Sequence, residues 1–452
     1  MTDTFSSYAM RNVPRYTSYP TAPHFNAGVT DAIYSDWLGA LSPRDSLSLY
    51  LHVPYCREMC HYCGCYTKAT RQEAPLLSYA KTLGQELELV ADHLKTPGQV
   101  RHIHWGGGTP SLLPEQSLLD LAGMMRVLFD FSPDIEHAIE LDPRYVSASL
   151  AETLVTMGVN RASLGVQDFD PTVQVAIGRV QSYDLVKTAT ERLRHAGLAA
   201  LNFDLMYGLP EQSLETIRDT VARTVELNPG RIALFGYAHV PWMKKHQRLI
   251  DESRLPSAAE RLALAEAARA DLLSAGYLAI GLDHFARPDD SMAIAEQQGQ
   301  LRRNFQGYTT DTGDQLIGFG VSSIGKLSQG YVQNMPDVRH WSRAISDGKL
   351  PVAKGMALST DDRLRGSIIE QLMTNHLCDI EETSRLFGTE PADLLPSIDA
   401  LQELVDQGLV QLNGWTVVIP KRGQSYVRLA AAAFDAYLGG RDAGAGKHSM
   451  AV

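Results

Sequence analysis

The sequence predicts an α/β fold: a partial (β/α)6 TIM-like barrel with an N-terminal arm and a mostly helical, winged-helix-like C-terminal domain. Three observations predict the barrel. Strand-like and helix-like segments alternate six times between residues 47 and 240. The connections are long enough to hold a helix, which parallel strands require and hairpins do not. Polar or glycine-rich residues follow the strand ends, where such barrels build their sites.

The individual elements follow from periodicity. Residues 47–53 alternate apolar and more polar side chains, a period of two that indicates a strand. The remaining strands are expected at 100–105, in a stretch that ends near 142, and at 161–169, 201–207 and 231–240. The intervening helices are expected at 76–93, 115–129, 149–157, 183–195 and 214–227. After residue 240 the alternation blurs into a helix at 258–274, loop-like residues at 286–313 and one strand at 315–324.

Four segments are expected along the chain. They are an N-terminal arm over the active site (1–35), a catalytic barrel (36–350), a helical domain (351–438) and a disordered tail (439–452). Pro14, Pro20 and Pro23 disfavour helix and predict an extended arm. A surface strap without a functional role is the alternative for the arm. The tail is rich in glycine, alanine and charge, so it has little to bury.

The helical domain resembles a winged helix. Helices are predicted at 362–373, 380–387 and 392–407, and Asn413–Gly414 between alternating apolar residues predicts a hairpin. A winged helix raises the possibility of DNA binding. However, residues 391–407 contain four acidic side chains and no Lys or Arg, so this surface would repel phosphates. A structural cap on the barrel is the favoured interpretation.

Composition limits the class of protein. The 452 residues are 44% hydrophobic and 21% charged, as expected for a globular chain of more than one domain. The net charge of −11 disfavours a nucleic-acid-binding surface. No apolar run reaches the roughly 18 residues of a membrane span, and no secretory signal is visible. Cysteines without an export signal favour the reducing cytoplasm.

Four of the five cysteines lie within residues 56–65. Cys56, Cys60 and Cys63 have the spacing C-x3-C-x2-C, and Cys65 follows them. Three thiolates at this spacing can bind one face of a cubane iron–sulfur cluster, because thiolate is the usual protein ligand of such iron. Three ligands for four irons leave one iron open. An open iron predicts a reaction site rather than a structural one.

Zinc and disulfides are the alternatives for this loop. Structural zinc draws on two ligand pairs about a dozen or more residues apart. His52 and His61 belong to the same short stretch, and Cys378 is distant in sequence. Four cysteines within ten residues would also cross-link almost nothing. The ligand arithmetic therefore favours an iron–sulfur cluster.

The cysteine loop after one strand and the glycine-rich turn after the next resemble the radical S-adenosylmethionine (SAM) superfamily. Tyr62, the aromatic residue before the third cysteine, fits the same pattern. Four motifs together resemble a narrower family, the oxygen-independent coproporphyrinogen III oxidases, or coproporphyrinogen dehydrogenases. These motifs are the Gly64-Cys65 extension, Arg-Tyr-Thr-Ser-Tyr-Pro-Thr at 15–21, the glycine-rich run at 106–110 and Asp-Leu-Met-Tyr-Gly-Leu-Pro at 204–210. The resemblance spans about residues 10–430.

The resemblance implies an oxidoreductase of porphyrin and haem biosynthesis with a [4Fe-4S] cluster and SAM, two SAM molecules per chain. SAM would chelate the open iron, and its reductive cleavage would give methionine and a 5′-deoxyadenosyl radical. This radical would remove a β-hydrogen from a propionate of coproporphyrinogen III. Loss of carbon dioxide and of one electron would leave a vinyl group. Two rounds would give protoporphyrinogen IX.

The resemblance also implies site residues. The cluster ligands would be Cys56, Cys60 and Cys63, which with Tyr50 are the expected catalytic positions. The first SAM pocket is matched by Tyr50, Gly107, Glu140 and Ile324, and the glycine would let the backbone approach the methionine end of SAM. The second SAM pocket is matched by Tyr62, Gly108, Thr109, Gln167, Arg179, Asp204 and Ala238. For each polar residue alone, the alternative is a buried group satisfied within the barrel.

Other positions and partners are less constrained. Cys65 could fill a tight turn or have a redox or substrate role. The four propionates of the substrate need cations or donors, for which Arg15, Tyr19, Arg302 and Arg303 are candidates, whereas solvated surface arginines are the alternative. An electron donor similar to flavodoxin or ferredoxin and an electron acceptor are implied, with a monomeric chain and no nucleic-acid or membrane partner.

Three other functions compete with this interpretation. A haem-degrading radical methyltransferase would open the ring of added haem. A haem-carrying chaperone would bind haem and SAM without turning over porphyrinogen, but that relative typically lacks the Gly-Cys extension and the Tyr-Thr-Ser-Tyr-Pro arm present here. A zinc-binding structural protein would contain no iron or sulfide.

Overall fold

The computed structural model of the chain describes residue 8 and residues 11–438. They form two compact units, which we call the sheet unit and the terminal unit. The sheet unit comprises Asn26–Pro256 and Asp311–Ala357, and the terminal unit comprises the described parts of Met1–Phe25, Ser257–Thr310 and Leu358–Val452. The predicted domain boundaries differ from these units chiefly at 257–310, which belongs to the terminal unit. The boundaries themselves stay a prediction.

Ten strands form the sheet of the sheet unit within its described residues. They are β1 (Ser46–Val53), β2 (Gln99–Gly107), β3 (Asp130–Leu141), β4 (Arg161–Gln167), β5 (Ala200–Tyr207), β6 (Arg231–Gly236), β7 (Gln315–Phe319), β8 (Ile324–Leu327), β9 (Gly330–Asn334) and β10 (Val352–Ala357). Their order is β10-β9-β8-β7-β1-β2-β3-β4-β5-β6. Neighbours from β7 through β6 pair in parallel, and β7 to β10 form an antiparallel extension. The predicted α/β class is confirmed, and β7 adds a seventh parallel strand to the six expected.

Helices connect the successive parallel strands. They are Ala74–His93, Glu115–Leu128, Ala148–Thr156, Tyr183–His195 and Leu214–Leu227, and further helices cover Asp31–Gly39, Pro171–Ala176 and Val338–Ser346. Two of them, at 183–195 and 214–227, have the predicted bounds because local caps define their ends. Ser182 and Ser213 accept N-terminal backbone hydrogen bonds, and Asn228 ends the second helix with φ +52°.

Two strands differ most from the prediction, while β2 and β4 differ from theirs by two residues at their carboxyl ends. β6 ends at Gly236 rather than at residue 240, and the strand expected at 315–324 is divided into β7 and β8. The division falls at Gly320, which has φ +85° and where a Cβ would lie 2.4 Å from the carbonyl oxygen of His52. Only glycine tolerates that conformation and approach. The edge strands β9 and β10 are missing from the prediction because their pairing is set by contacts outside each short segment.

Both faces of the parallel sheet are buried, as expected when helices cover one side and the barrel interior the other. The apolar face of β1 consists of residues at most 1% exposed, namely Leu47, Leu49, Leu51 and Val53. Its opposite face carries Ser48, Tyr50 and His52, whose side chains hydrogen-bond to polar neighbours. The face of β1 that lines the barrel interior is therefore polar up to the end of the strand.

The terminal unit is mainly helical. Its helices are Ala258–Ser274, Ser291–Gln297, Thr360–Asn375, Ile380–Leu386, Leu395–Asp399, Gln402–Asp406 and Val427–Ala432. Its paired strands are Leu278–Ile280 with His284–Ala286, Arg302–Asn304 with Gly307–Thr309, and Gln411–Asn413 and Leu377–Asp379 on either side of Thr416–Val418. The predicted hairpin at Asn413–Gly414 is confirmed. None of the described helices is both long and apolar enough to cross a membrane.

Two expectations for the terminal unit are wrong. The loop-like stretch 286–313 contains a helix and a hairpin. The single helix expected at 392–407 consists of three short helical pieces. Pro396 lies in the first turn of the middle piece, where its missing N–H is tolerated, whereas it would interrupt one continuous helix.

The N-terminal arm contributes to the core of the terminal unit. Val13, Tyr16 and Tyr19 are at most 5% exposed and belong to the same apolar cluster as Leu364 and Ile368. The arm is thus anchored by buried aromatic rings. The predicted disordered tail at 439–452 lies outside the described residues.

Candidate active site

The cysteine loop leaves the carboxyl end of β1 and returns to it. Tyr55–Cys56 pairs in parallel with Lys68–Ala69, and the backbone N–H of Lys68 donates to the Pro54 carbonyl at 2.8 Å. The N–H of Thr70 donates to the Cys56 carbonyl, also at 2.8 Å. These bonds close the base of the loop, so residues 57–67 project as one unit beside the strand ends.

Cys56 and Cys63 each have a hydrogen-bond partner for their sulfur. The hydroxyl groups of Thr67 and Thr109 lie 3.2 and 3.6 Å from the Cys56 sulfur, and the backbone N–H of Cys65 donates to the Cys63 sulfur at 3.4 Å. Burial raises the pKa of the Cys56 thiol. Hydrogen bonding from Cys65 lowers the pKa of the Cys63 thiol to about 6. Hydrogen-bond donors of this kind stabilise thiolates, the form that binds metal.

Cys60 is buried, and its sulfur accepts from Arg179 Nη1 at 3.5 Å. The same nitrogen lies 3.3 Å from Asp142 Oδ2, and Nη2 donates to the Gly165 carbonyl at 2.7 Å. Each thiol of the predicted triad therefore has its own donor. Arg179 is also brought next to the cysteine loop.

The three thiols suit a [4Fe-4S] cluster better than a single zinc ion. Among the described residues, no three His, Cys, Asp or Glu side chains converge closely enough to hold one metal ion. In a cubane each thiolate binds a different iron, so its ligands need not converge on one point. The five cysteines are all described, and none of them is paired in a disulfide.

Glu140 lies at the carboxyl end of β3, facing the glycine-rich turn. One of its carboxylate oxygens accepts from the Gly107 N–H at 3.1 Å, and the other accepts from His104 Nε2 at 3.1 Å. A Cβ built on Gly106 would lie 2.9 Å from Glu140 and 3.0 Å from the Tyr50 ring. Glu140, Tyr50 and the turn therefore share one wall.

Gly107 has a backbone reason to be glycine. Its φ is +112°, and a Cβ would lie 2.6 Å from the ring of His52. That ring is fixed in one tautomer: Nε2 donates to the Tyr66 carbonyl at 3.0 Å, so Nδ1 accepts from the Tyr50 hydroxyl at 3.0 Å. Burial lowers the pKa of His52, which favours this neutral form. The contact also connects Tyr50 to the end of the cysteine loop.

Asp204, on β5, belongs to the same interior. Ser163 Oγ lies 3.1 Å from both of its carboxylate oxygens. Burial and then the charge of Glu140 raise the pKa of Asp204 to about 7. Gln167 ends β4 with φ +67°, and its amide nitrogen and Arg179 Nη2 lie 2.9 and 3.1 Å from a Cβ built on Gly165. Asp204, Gln167 and Arg179 therefore share this polar interior, where a carboxyl group with a raised pKa is a candidate functional group.

The other second-pocket residues surround the cysteine loop. Gln247 Nε2 donates to the carbonyls of Tyr62 at 2.9 Å and Ala238 at 3.3 Å, so these two backbone positions are adjacent. Thr109 contacts the Cys56 sulfur as described. A Cβ on Gly108 would lie 2.5 Å from the Tyr55 carbonyl oxygen, which explains the second glycine of the turn.

Ile324 is the predicted residue with the most indirect connection to the others. It begins β8, and its backbone lies 2.9 Å from a Cβ built on Gly318. Gly318 is in turn the register partner of Tyr50 across β7 and β1. Ile324 therefore lies one strand beyond Tyr50.

Sequence reasoning missed a set of polar side chains after β6. Lys244 Nζ donates to the Cys65 carbonyl at 3.0 Å, and His246 Nε2 donates to the Cys63 carbonyl at 2.7 Å. With Gln247, they fix three carbonyl groups of the cysteine loop from one short segment. The only sequence signal was a polar run just after a strand end, which does not reveal its target.

The candidate substrate residues lie in the terminal unit. Arg303 donates to the carbonyls of Arg15 at 3.1 Å and Tyr16 at 3.3 Å, and the Tyr19 hydroxyl accepts from the Ala436 N–H at 3.0 Å. Arg303 and Tyr19 therefore hold the arm within that unit. Arg15 and Arg302 are exposed.

The loop of three cysteines at the end of a parallel strand defines a class of enzyme. The Radical SAM superfamily model matches residues 50–223, the part of the chain that contains the cysteine loop, the glycine-rich turn, Glu140, Arg179 and Asp204. This part of the chain is thus a radical SAM domain.

Comparisons over nearly the whole chain identify a particular family. The oxygen-independent coproporphyrinogen III oxidase of Bradyrhizobium diazoefficiens is 48% identical over 446 residues, which cover 99% of this chain and 98% of that protein. That of Helicobacter pylori strain 26695 is 40% identical, with 96% of each chain covered. The solved coproporphyrinogen III oxidase of Escherichia coli is similar with a TM-score of 0.90 and 36% identity, covering 94% of this chain and 98% of its own. The chain belongs to the oxygen-independent coproporphyrinogen III oxidase family.

Proposed function

We propose that this enzyme converts two propionate side chains of coproporphyrinogen III to vinyl groups and gives protoporphyrinogen IX. One observation carries the proposal. Three cysteine thiols, each with its own donor, lie with Glu140, Arg179 and Asp204 at the carboxyl ends of neighbouring parallel strands. Family membership over the whole chain supports the same reaction.

Cys56, Cys60 and Cys63 would bind the [4Fe-4S] cluster. When bound, the cluster would supply the electron for the reductive cleavage of SAM to methionine and a 5′-deoxyadenosyl radical. The protein's own part is to hold three thiolates through the donors described above and to limit the access of water. Low dielectric around these groups strengthens every charge contact with the ligand.

Glu140 and Tyr50 would orient the first SAM molecule. The contacts from Gly107 and His104 fix both oxygens of the Glu140 carboxylate, which still has lone pairs available for an ammonium group. Gly107 gives the ligand access to backbone because it has no Cβ. Tyr50 is held by His52 and faces the same wall.

A second SAM molecule would lie beside Arg179 and Asp204. The Nε of Arg179 is buried without a hydrogen-bond partner among the described residues, and an unsatisfied buried donor of a guanidinium group suits a ligand carboxylate. Asp204 is suited to ribose hydroxyl groups. The pocket would be completed by Tyr62, Gly108, Thr109, Gln167 and Ala238.

The substrate would meet exposed cations of the terminal unit. We assign propionate contacts to Arg15 and Arg302, and a supporting role to Arg303 and Tyr19, because the last two already hold the arm. A one-electron donor and an acceptor complete the reaction of a monomeric enzyme, placed in the cytoplasm because all five cysteines are free.

Anaerobic turnover tests the proposal. Reduced enzyme, SAM and coproporphyrinogen III should release carbon dioxide and 5′-deoxyadenosine in equal amounts and yield a product with two vinyl groups. Stoichiometric haem binding without a vinyl product would instead identify a haem chaperone, and opening of added haem would identify a methyltransferase relative. Either result would overturn the proposed function.

A further inference from the structure

We propose that residues 242–249, with the exposed edge of the cysteine loop at 64–66, form a docking surface for a small acidic redox protein that delivers single electrons to the cluster. We call residues 242–249 the docking segment. The inference rests on the proposed function, because it requires a redox-active cluster on the three cysteines. It adds the place where the electron enters.

The docking segment is in direct contact with the cysteine loop. Lys244 Nζ lies 3.0 Å from the Cys65 carbonyl oxygen, and His246 Nε2 lies 2.7 Å from that of Cys63. Cys63 is a cluster ligand in the proposed site. A partner seated on the docking segment would therefore be separated from that ligand by one side chain and one hydrogen bond.

The segment exposes an unusual amount of apolar surface. Trp242, Met243 and Leu249 are 62%, 66% and 66% exposed, although all three lie within eight residues. The adjoining edge of the cysteine loop, at residues 64–66, is exposed as well. Clustered rather than single exposed apolar residues indicate an interaction surface, and Trp and Met are enriched in protein interfaces.

Charge selects the partner. The docking segment contains Lys244, Lys245 and Arg248 and no acidic residue, in a chain whose net charge is −11. The acidic residues that follow have local partners: Glu252 accepts from His239 at 3.0 Å, and Asp251 accepts from Ser253 at 2.7 Å. A basic patch on an acidic protein steers an acidic partner to this face.

The redox step is simple. In each productive encounter the reduced carrier is oxidised by one electron, and the cluster is reduced by that electron. Such carriers bind weakly through small interfaces, which the few exposed side chains of the docking segment can supply. Weak charge-steered binding also predicts a strong dependence on ionic strength.

The test uses the anaerobic holoenzyme and reduced flavodoxin as the acidic carrier. In Lys245→Glu/Arg248→Glu, the second-order rate of cluster reduction by flavodoxin at low ionic strength should fall about tenfold or more, because steering becomes repulsion. Binding of oxidised flavodoxin, measured by calorimetry, should weaken in parallel. Added salt should reduce the difference in rate and affinity between the variant and wild type. Trp242→Ala should weaken binding with a nearly unchanged salt dependence.

Dithionite and a matched variant provide the controls. Reduction by dithionite and the electron paramagnetic resonance spectrum should be unchanged, because neither depends on protein docking. Lys95→Glu/Lys187→Glu makes the same change in net charge at exposed positions elsewhere and should leave flavodoxin reduction within about twofold of wild type.

Three results would overturn the docking surface. They are an unchanged flavodoxin rate and affinity, an equal loss of rate with dithionite, and a raised KM for coproporphyrinogen with an unchanged flavodoxin rate. The last would show that the segment binds substrate propionates instead. A wild-type protein without a reducible cluster would refute the proposed function itself, which the dithionite measurement detects separately.

Discussion

Arg179 connects three parts of the site through one guanidinium group. It reaches the Cys60 sulfur, the Asp142 carboxylate and the Gly165 carbonyl, and its Nε remains available to a ligand. A planar fork of donors can make these contacts together, whereas the point charge of lysine cannot. A lysine at position 179 would keep the positive charge but should not make the same set of contacts.

Arg179→Lys should weaken SAM binding about tenfold, equivalent to about 1.4 kcal/mol, and lower the cluster midpoint potential because the donor to Cys60 is lost. Calorimetry and potentiometric titration measure the two effects. Arg144→Lys is the matched control, since Arg144 Nη2 also donates to Asp142, at 2.7 Å, whereas no hydrogen bond joins Arg144 to Cys60 in the described part of the chain. Equal effects of both variants would show that Arg179 acts through Asp142 alone.

Cys65→Ser should keep the full iron content, about four irons per chain. Cys65 donates to the Cys63 sulfur through its backbone N–H, and serine retains this donor. Iron and sulfide analysis of anaerobically purified protein checks this expectation. Loss of the cluster in Cys65→Ser, with retention in Cys63→Ser, would show that the ligand assignment is wrong.

The segment after β6 holds the cysteine loop that follows β1. Gln247 donates to the carbonyls of Tyr62 and Ala238 and accepts from the Val240 N–H at 2.6 Å. Its side chain is 1% exposed. Such a buried amide with three satisfied bonds restricts the loop that holds the thiols.

Gln247→Ala should accelerate the loss of iron to a chelator several-fold and destabilise the protein by about 1–3 kcal/mol, because buried carbonyls lose their donor. Absorbance of the cluster under chelator challenge gives the rate. Gln212→Ala is the control, as Gln212 bonds Asp168, the Met206 carbonyl and the Leu209 N–H. It should destabilise comparably without accelerating iron loss; equal iron loss in both would attribute the effect to general instability.

Elements with local signals could be predicted, and those defined by distant contacts could not. The helix at 183–195 begins at its own cap, Ser182. In contrast, β9 and β10 owe their strand conformation to antiparallel pairing that neither segment encodes alone. The site followed the same rule: Glu140 and Asp204 lie at strand ends, whereas the contact of His246 with Cys63 joins residues 183 apart.

Buried acids make the stability of the protein depend on pH. Burial raises the pKa of Glu86 and Asp204 to about 7 and that of Asp168 to about 6. At a pH between the pKa of the unfolded state and that of the folded state, each of these groups is protonated in the folded protein and ionised in the unfolded one. Their contribution to stability therefore falls as pH rises from about 4 to about 7. Glu136, whose pKa is lowered by His102 and Arg161 despite burial, has the opposite effect at low pH.

Asp204→Asn should remove one part of this pH dependence. The difference in unfolding free energy between the SAM-free variant and wild type should shift in favour of the variant from pH 5 to pH 8, by an amount on the order of 3 kcal/mol. Wild type must ionise a buried carboxyl group over this pH range, whereas the variant has no such group at this position. The same variant should bind SAM more weakly. Denaturant unfolding at the two pH values and calorimetry test both; equal stability differences at pH 5 and pH 8 would contradict the shifted pKa.

In the proposed reaction, a radical formed beside Cys56, Cys60 and Cys63 removes a β-hydrogen of a substrate propionate. The most direct measurement uses coproporphyrinogen III with deuterium on the β-carbons of its propionates. Mass spectrometry of an anaerobic turnover should find one deuterium in the 5′-deoxyadenosine formed for each carbon dioxide released. Vinyl product accompanied by unlabelled 5′-deoxyadenosine would contradict the claim.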